Sequence, residues 1–125
     1  MQALLCPGVG AGEDSRVSGL YATISEKIFT AQIIRMCQMF NWKVAHFRPA
    51  MTKRGKWVTA VQGDGAGFPD LVLIRDSRPI FAELKSAKGK LTAGQEAWLK
   101  AASNAGIEVY TWRPRDIDVI ERILR

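Results

Sequence analysis

Three residues have the types and spacing to work together on a phosphate ester: Asp70, Glu83 and Lys85. Asp70 follows Gly67-Phe68-Pro69 and opens an apolar run, 71–74, while Glu83 and Lys85 stand two apart near the end of the next run, 80–84. On a strand, alternation points Glu83 and Lys85 to one side and Ile80, Ala82 and Leu84 to the other. Charges gathered at paired strand ends are costly to bury, so a fold that keeps them there has a use for them. Two carboxylates can hold Mg²⁺ or Mn²⁺ and leave positions for water and phosphate. Such an ion acidifies a bound water and offsets the charge of the transition state. An adjacent ammonium can orient that water or stabilise a phosphoryl oxygen. The plainer alternative is an Asp at a turn beside a surface Glu/Lys pair on an edge strand.

Glu26 and Gln95 extend the set. Glu26 lies three before Phe29 and seven before Ile33, and Gln95 three before Trp98 and seven before Ala102, so each falls on the sheet-facing stripe of a helix. Each also has capping-box spacing, Thr23 with Glu26 and Thr92 with Gln95. The two roles are compatible, because the start of a helix can face the polar end of a sheet.

The elements that must position these groups follow from periodicity and turn chemistry. A first helix is expected over 24–40, with Phe29, Ile33, Met36 and Phe40 as its apolar stripe. A strand follows at 42–47, then a loop rich in Lys, Arg and Gly over 49–67. The runs 71–74 and 80–84, split by Asp76-Ser77-Arg78-Pro79, predict an antiparallel hairpin buried on both faces. A second helix is expected over 93–105 with Gly106 as a left-handed cap, then a strand at 107–112. Residues 114–116 start a final helix carrying Ile117, Ile120 and Leu124. The order α-β-β-β-α-β-α predicts an α/β fold, a mixed β-sheet flanked by helices. Gly63-Asp64-Gly65-Ala66-Gly67 leads into a strand rather than a helix, so it reads as a mobile loop and not a dinucleotide fingerprint.

Taken in order, Glu26, then Gly67-Phe68-Pro69-Asp70-Leu71-Val72-Leu73, Glu83-Leu84-Lys85, Gln95 with Trp98, and Tyr110-Thr111-Trp112-Arg113-Pro114 resemble the VRR-NUC domain of the PD-(D/E)XK nuclease superfamily. The resemblance spans roughly residues 25–116. It implies a restriction-endonuclease-like fold and metal-dependent DNA endonuclease activity. Asp70 and Glu83 would be metal ligands with the Leu84 carbonyl as a third, Lys85 the catalytic lysine, Glu26 an accessory acid and Gln95 a site residue. Small stand-alone members, many from phages, are homodimers that cut branched DNA such as Holliday junctions; the length here matches that kind, and with it a phage or bacterial-host setting. Asn41 replaces a Gly common in the family before Trp42, but it falls at a helix C-cap, where Asn also tolerates left-handed geometry.

The bulk properties agree. The 125 residues fit one domain, with 1–20, rich in Gly, read as a flexible arm and 21–125 as the folded unit. The net charge is +6, and no acidic residue occurs between Glu26 and Asp64, which favours a polyanionic partner. Arg48, Lys53, Arg54 and Lys56, with Trp57 among them, are candidates to grip phosphates and stack on exposed bases, as are Lys88 and Lys90. A solvated face is the alternative. His46, the sole histidine, resembles a frequent family position near the site, although packing or hydrogen bonding also explains a lone histidine on a strand. Cys6 and Cys37 have neither zinc spacing nor a disulfide pattern, so a reducing, cytoplasmic setting is expected. No signal-peptide pattern or run of membrane-spanning length is evident. Three rivals stay open: a DNA-binding module without catalysis, a flap or general nuclease without junction preference, and a basic RNA- or membrane-contacting protein.

Overall fold

The computed structural model describes residues 24–47, 50–58 and 61–125. The proposed arm at 1–20 and Thr23 lie outside the described residues.

Helix α1 is Glu26–Met39. Its N-cap is Ser25, whose side chain accepts from the Ile28 amide, so Glu26 is the first helical residue and not the third residue of a capping box. The helix ends in a Schellman motif: the Asn41 amide donates to the Gln38 carbonyl and the Trp42 amide to the Cys37 carbonyl. Asn41 adopts φ 65°, the left-handed geometry expected of it. The buried residues Phe29, Ile33 and Cys37 recur at four-residue steps and form the stripe that meets the sheet.

Strand β1 (Lys43–His46) pairs antiparallel with β4 (Leu71–Arg75), which pairs antiparallel with β5 (Arg78–Leu84). The β4–β5 turn is shorter than expected. Arg75 pairs with Arg78 around Asp76 and Ser77 alone, with Asp76 at φ 55°, and Arg78 and Pro79 already belong to β5. Between β1 and β4 the expected loop contains a two-stranded ribbon, β2 (Ala50–Met51) and β3 (Trp57–Val58). Helix α2 (Ala93–Asn104) carries the full Thr92/Gln95 capping box and stops at Gly106, φ 86°. Strand β6 (Glu108–Trp112) lies parallel to β5, a 3₁₀ turn covers Pro114–Asp116, and α3 (Ile117–Leu124) completes the fold.

The main sheet has the order β1-β4-β5-β6. Its register separates two faces. Val44, Leu71, Leu73, Ile80, Ala82, Leu84, Tyr110 and Trp112 share a core with the stripes of α1 and α3. Phe81 and Val109, on the other face, pack with Leu99 and Ala102 of α2. This is the α/β, restriction-endonuclease-like arrangement expected from the element order. The ends of α1 and α3 are joined by Arg75, which donates to the Phe40 and Leu124 carbonyls at 3.0 and 2.8 Å. Its guanidinium lies 4.5 Å from the Trp42 ring centroid.

Candidate active site

The β4–β5 register creates the centre of the site. Leu71 opposes Ala82, so one step further Asp70 comes beside Glu83, on the face that α2 covers. Two contacts pin them: the Asp70 amide donates to Glu83 Oε2 at 3.3 Å, and the Leu84 amide donates to Asp70 Oδ2 at 2.9 Å. A one-residue slip of either strand would turn its own carboxylate to the opposite face and part the pair.

Glu83 is 2% exposed. Gln95 Nε2 donates to its Oε1 at 2.9 Å, while Gln95 Oε1 accepts from the Thr92 amide to close the capping box. One side chain therefore starts the helix and holds the carboxylate. Lys85 Nζ approaches Glu83 Oε1 at 4.0 Å, a loose pairing, and the Lys85 amide continues the ladder to the Trp112 carbonyl. Burial, followed by hydrogen bonding with Asp70 and the Asp70 charge, pushes Glu83 up to about 9 despite Lys85. Glu26 stands at the rim, at the start of α1. Loss of hydration raises its carboxyl first, then the Asp70 charge, with Lys85 opposing.

The segment before Asp70 is held against α2 and is not a free loop. Trp98 Nε1 donates to the Asp64 carbonyl at 2.8 Å. Phe68 contacts Phe47, Phe81 and Trp98 with ring centroids 5.4, 5.6 and 5.0 Å away. Gly67, at φ 85°, passes so close to α2 that an added Cβ would lie 2.4 Å from the Gly94 carbonyl carbon and 2.6 Å from the Gln95 nitrogen. Sequence reasoning saw the glycines as mobility; here Gly67 is a close approach. The Phe-Pro that follows an αL glycine was the available signal.

Glu26, Asp70, Glu83, Lys85 and Gln95 line one cleft of about 410 Å³, walled by Phe47, Val61 and Phe68. Three carboxyls facing one ammonium leave a surplus of acidic groups, and Asp70 adds to the burial that already raises Glu83 and Glu26. A bound cation would relieve that surplus. Among the described residues, no group of three or more His, Cys, Asp or Glu forms a ready ligand cage. An Asp–Glu pair in an open, polar cleft fits Mg²⁺ or Mn²⁺, which keep several waters, better than zinc.

Other sequence candidates lie elsewhere. His46 opposes Leu71, so its row faces the α1 side and not the cleft. Alternation along β1 puts Phe47 on the cleft side instead. Lys88 and Lys90 are exposed beyond β5, and Lys53, Arg54 and Lys56 are exposed on the ribbon. Arg48 and the side chain of Trp57 lie outside the described residues. Arg113, noticed only within a motif, acts on the Lys85 turn: its Nη1 donates to the Ser86 and Gly89 carbonyls at 2.7 and 2.6 Å.

In comparison with known proteins, the family model described as the VRR-NUC domain matches residues 16–115. No curated protein and no solved structure matches the chain.

Proposed function

The chain belongs to the VRR-NUC domain family of PD-(D/E)XK nucleases, and from that premise we propose that it is a divalent-metal-dependent DNA endonuclease. The reading rests on one observation: Asp70, Glu83 and Lys85 converge in a cleft with Glu26 and Gln95.

Asp70 and Glu83 would hold Mg²⁺ or Mn²⁺. The Leu84 carbonyl is available as a third ligand, since N–H and C=O of one strand residue point the same way and the Leu84 amide meets Asp70. When bound, the ion supplies an acidified water and a counter-charge for the phosphoryl oxygens. Gln95 fixes the Glu83 rotamer. Lys85 donates to the attacking water or to a non-bridging phosphoryl oxygen. Glu26, at the rim of the cleft, would serve as the accessory acid.

We also infer preference for branched DNA. A homodimer would present paired clefts to a two-fold symmetric four-way junction. Among the described residues no helix is long and apolar enough to cross a membrane, and a DNA partner agrees with the +6 charge.

Cleavage of four-way junction, flap and linear duplex DNA in Mg²⁺, Mn²⁺ or Ca²⁺ tests these statements. Asp70→Ala and Lys85→Ala are each expected to lower kcat by roughly 10²–10³-fold, as for removal of a group acting on transition-state charge. Cutting that survives both substitutions, or survives chelator, overturns the site. Equal cutting of all three substrates removes the junction preference and leaves the nuclease. Binding without cutting in every metal would make the chain a DNA-binding module. Sedimentation showing only monomer at micromolar concentration removes the dimer.

A further inference from the structure

The cleft cannot attract DNA by its own charge, since three carboxyls there face one lysine. Cations near the cleft supply attraction that its own side chains do not, and the β2–β3 ribbon carries a set of them. Its strands pair Ala50 with Val58 and Met51 with Trp57, leaving Lys53, Arg54 and Gly55 as the turn between Thr52 and Lys56. That turn is well defined. The Thr52 amide donates to the Lys56 carbonyl at 2.7 Å, the Gly55 amide to the Thr52 carbonyl at 2.9 Å, and the Lys56 amide to Thr52 Oγ1 at 3.1 Å. Gly55 takes φ 82°, as a three-residue hairpin turn requires. Lys53, Arg54 and Lys56 are all exposed on a ribbon tip that has no acidic residue.

Both roots of the ribbon lead into the cleft wall, at Phe47 on one side and Val61 on the other. Chain geometry then bounds its reach, whatever path the intervening residues take. Six residue steps lead from Phe47 to Lys53 and five from Lys56 to Val61, so the tip backbone stays within about 22 and 18 Å of the wall. At about 3.4 Å per base pair, that is roughly six base pairs. A two-stranded ribbon also has the width that a major groove, about 12 Å across, admits.

Building on the nuclease reading, we propose that the ribbon tip is a duplex-gripping arm. Lys53, Arg54 and Lys56 contact backbone phosphates of the double-stranded arm within about six base pairs of the cut. This assigns the substrate a requirement: duplex must extend into that span, up to about six base pairs from the scissile phosphate, on the ribbon side.

The test compares the full chain with its Lys53→Gln/Arg54→Gln/Lys56→Gln variant on four-way junctions whose arms are 4, 8 or 16 base pairs. Dissociation constants are measured in Ca²⁺ across a salt series, and cleavage in Mg²⁺. Lys100→Gln, exposed on α2, reports the effect of net charge alone. The triple variant should raise Kd and KM at least tenfold near 0.1 M salt, with kcat at saturation within about twofold. The slope of log Kd against log salt should fall by about 2.7, or 0.9 for each lost contact. The wild type should weaken on the shortest arms, and the variant should not. Unchanged slope and KM, an equal effect per charge from Lys100→Gln, or the same loss on single-stranded DNA without arm dependence would overturn the proposal. A wild type that binds but cuts nothing refutes the catalytic reading, while the Kd series still decides the ribbon.

Discussion

Glu83 shows how one carboxylate can be both a stability liability and a functional group. Its folded value of about 9 lies above the unfolded value of 4.5, so the fold favours its neutral form. The stability that form contributes is complete below pH 4.5 and is lost progressively as pH rises towards 9. Glu83→Gln removes the titration. The expected result, in chelator, is that the variant gains on the wild type by roughly 2–4 kcal/mol between these limits, read as unfolding free energy against pH. Any fixed cost of the new amide beside the Asp70 amide shifts the whole curve and leaves the slope alone. Mg²⁺ should flatten the wild-type curve by favouring the ionised form, and should leave the variant curve unmoved. A variant slope matching the wild type would mean that Glu83 is already ionised in the metal-free protein.

At the scale of elements, the site depends on how closely the 64–68 segment packs against α2. Gly67→Ala places a Cβ into the Gly94–Gln95 backbone and forces a non-glycine residue to φ 85°, so the segment must lift. A loss of about 2–4 kcal/mol is expected in denaturant unfolding. Cleavage should fall more than tenfold, because Asp70 and Gln95 separate. Gly63→Ala is the control. It also stands at positive φ, 68°, but with nothing within 4 Å, so only the backbone term of about 1–2 kcal/mol applies and activity should persist. Equal effects at the two positions would mean that conformational strain, not close approach, governs the segment. The helix ends offer a milder case: Asn41→Gly should stabilise by about 0.5–1 kcal/mol, since Asn bears a left-handed φ that Gly accepts freely.

For the molecule as a whole, one guanidinium ties the layers together at the end opposite the cleft. Arg75 of β4 reaches the terminal carbonyls of α1 and α3 and lies over Trp42, whose Nε1 donates to the Leu124 carbonyl at 2.8 Å. Arg75→Met keeps much of the side-chain volume but removes the side-chain donor from the Phe40 carbonyl and leaves the Leu124 carbonyl to Trp42 alone. A cost of about 2–3 kcal/mol is expected by thermal or denaturant melting, with kcat little changed, because the link lies far along β4 from Asp70. A large fall in kcat would mean that the helix layer also sets the cleft geometry.

What was legible in the sequence was whatever depends on local pattern. The order of helices and sheet strands, the β4–β5 hairpin, the Thr92/Gln95 cap, left-handed Asn41 and Gly106, and the set of cleft residues all follow from periodicity, caps and motif spacing. What local pattern could not specify were matters of register and approach. Alternation alone did not reveal that His46 sits on the α1 side, because a strand's facing is set by its partner. Glycine content did not distinguish a mobile loop from one pressed against α2, because the distinction lies in a contact with residues some thirty positions away. The Thr23/Glu26 spacing suggested one helix start while Ser25 provides another, since neighbouring hydroxyls compete for the same amides. Only the packed sheet decided that Asp70, thirteen residues before Glu83, donates its amide to that carboxylate.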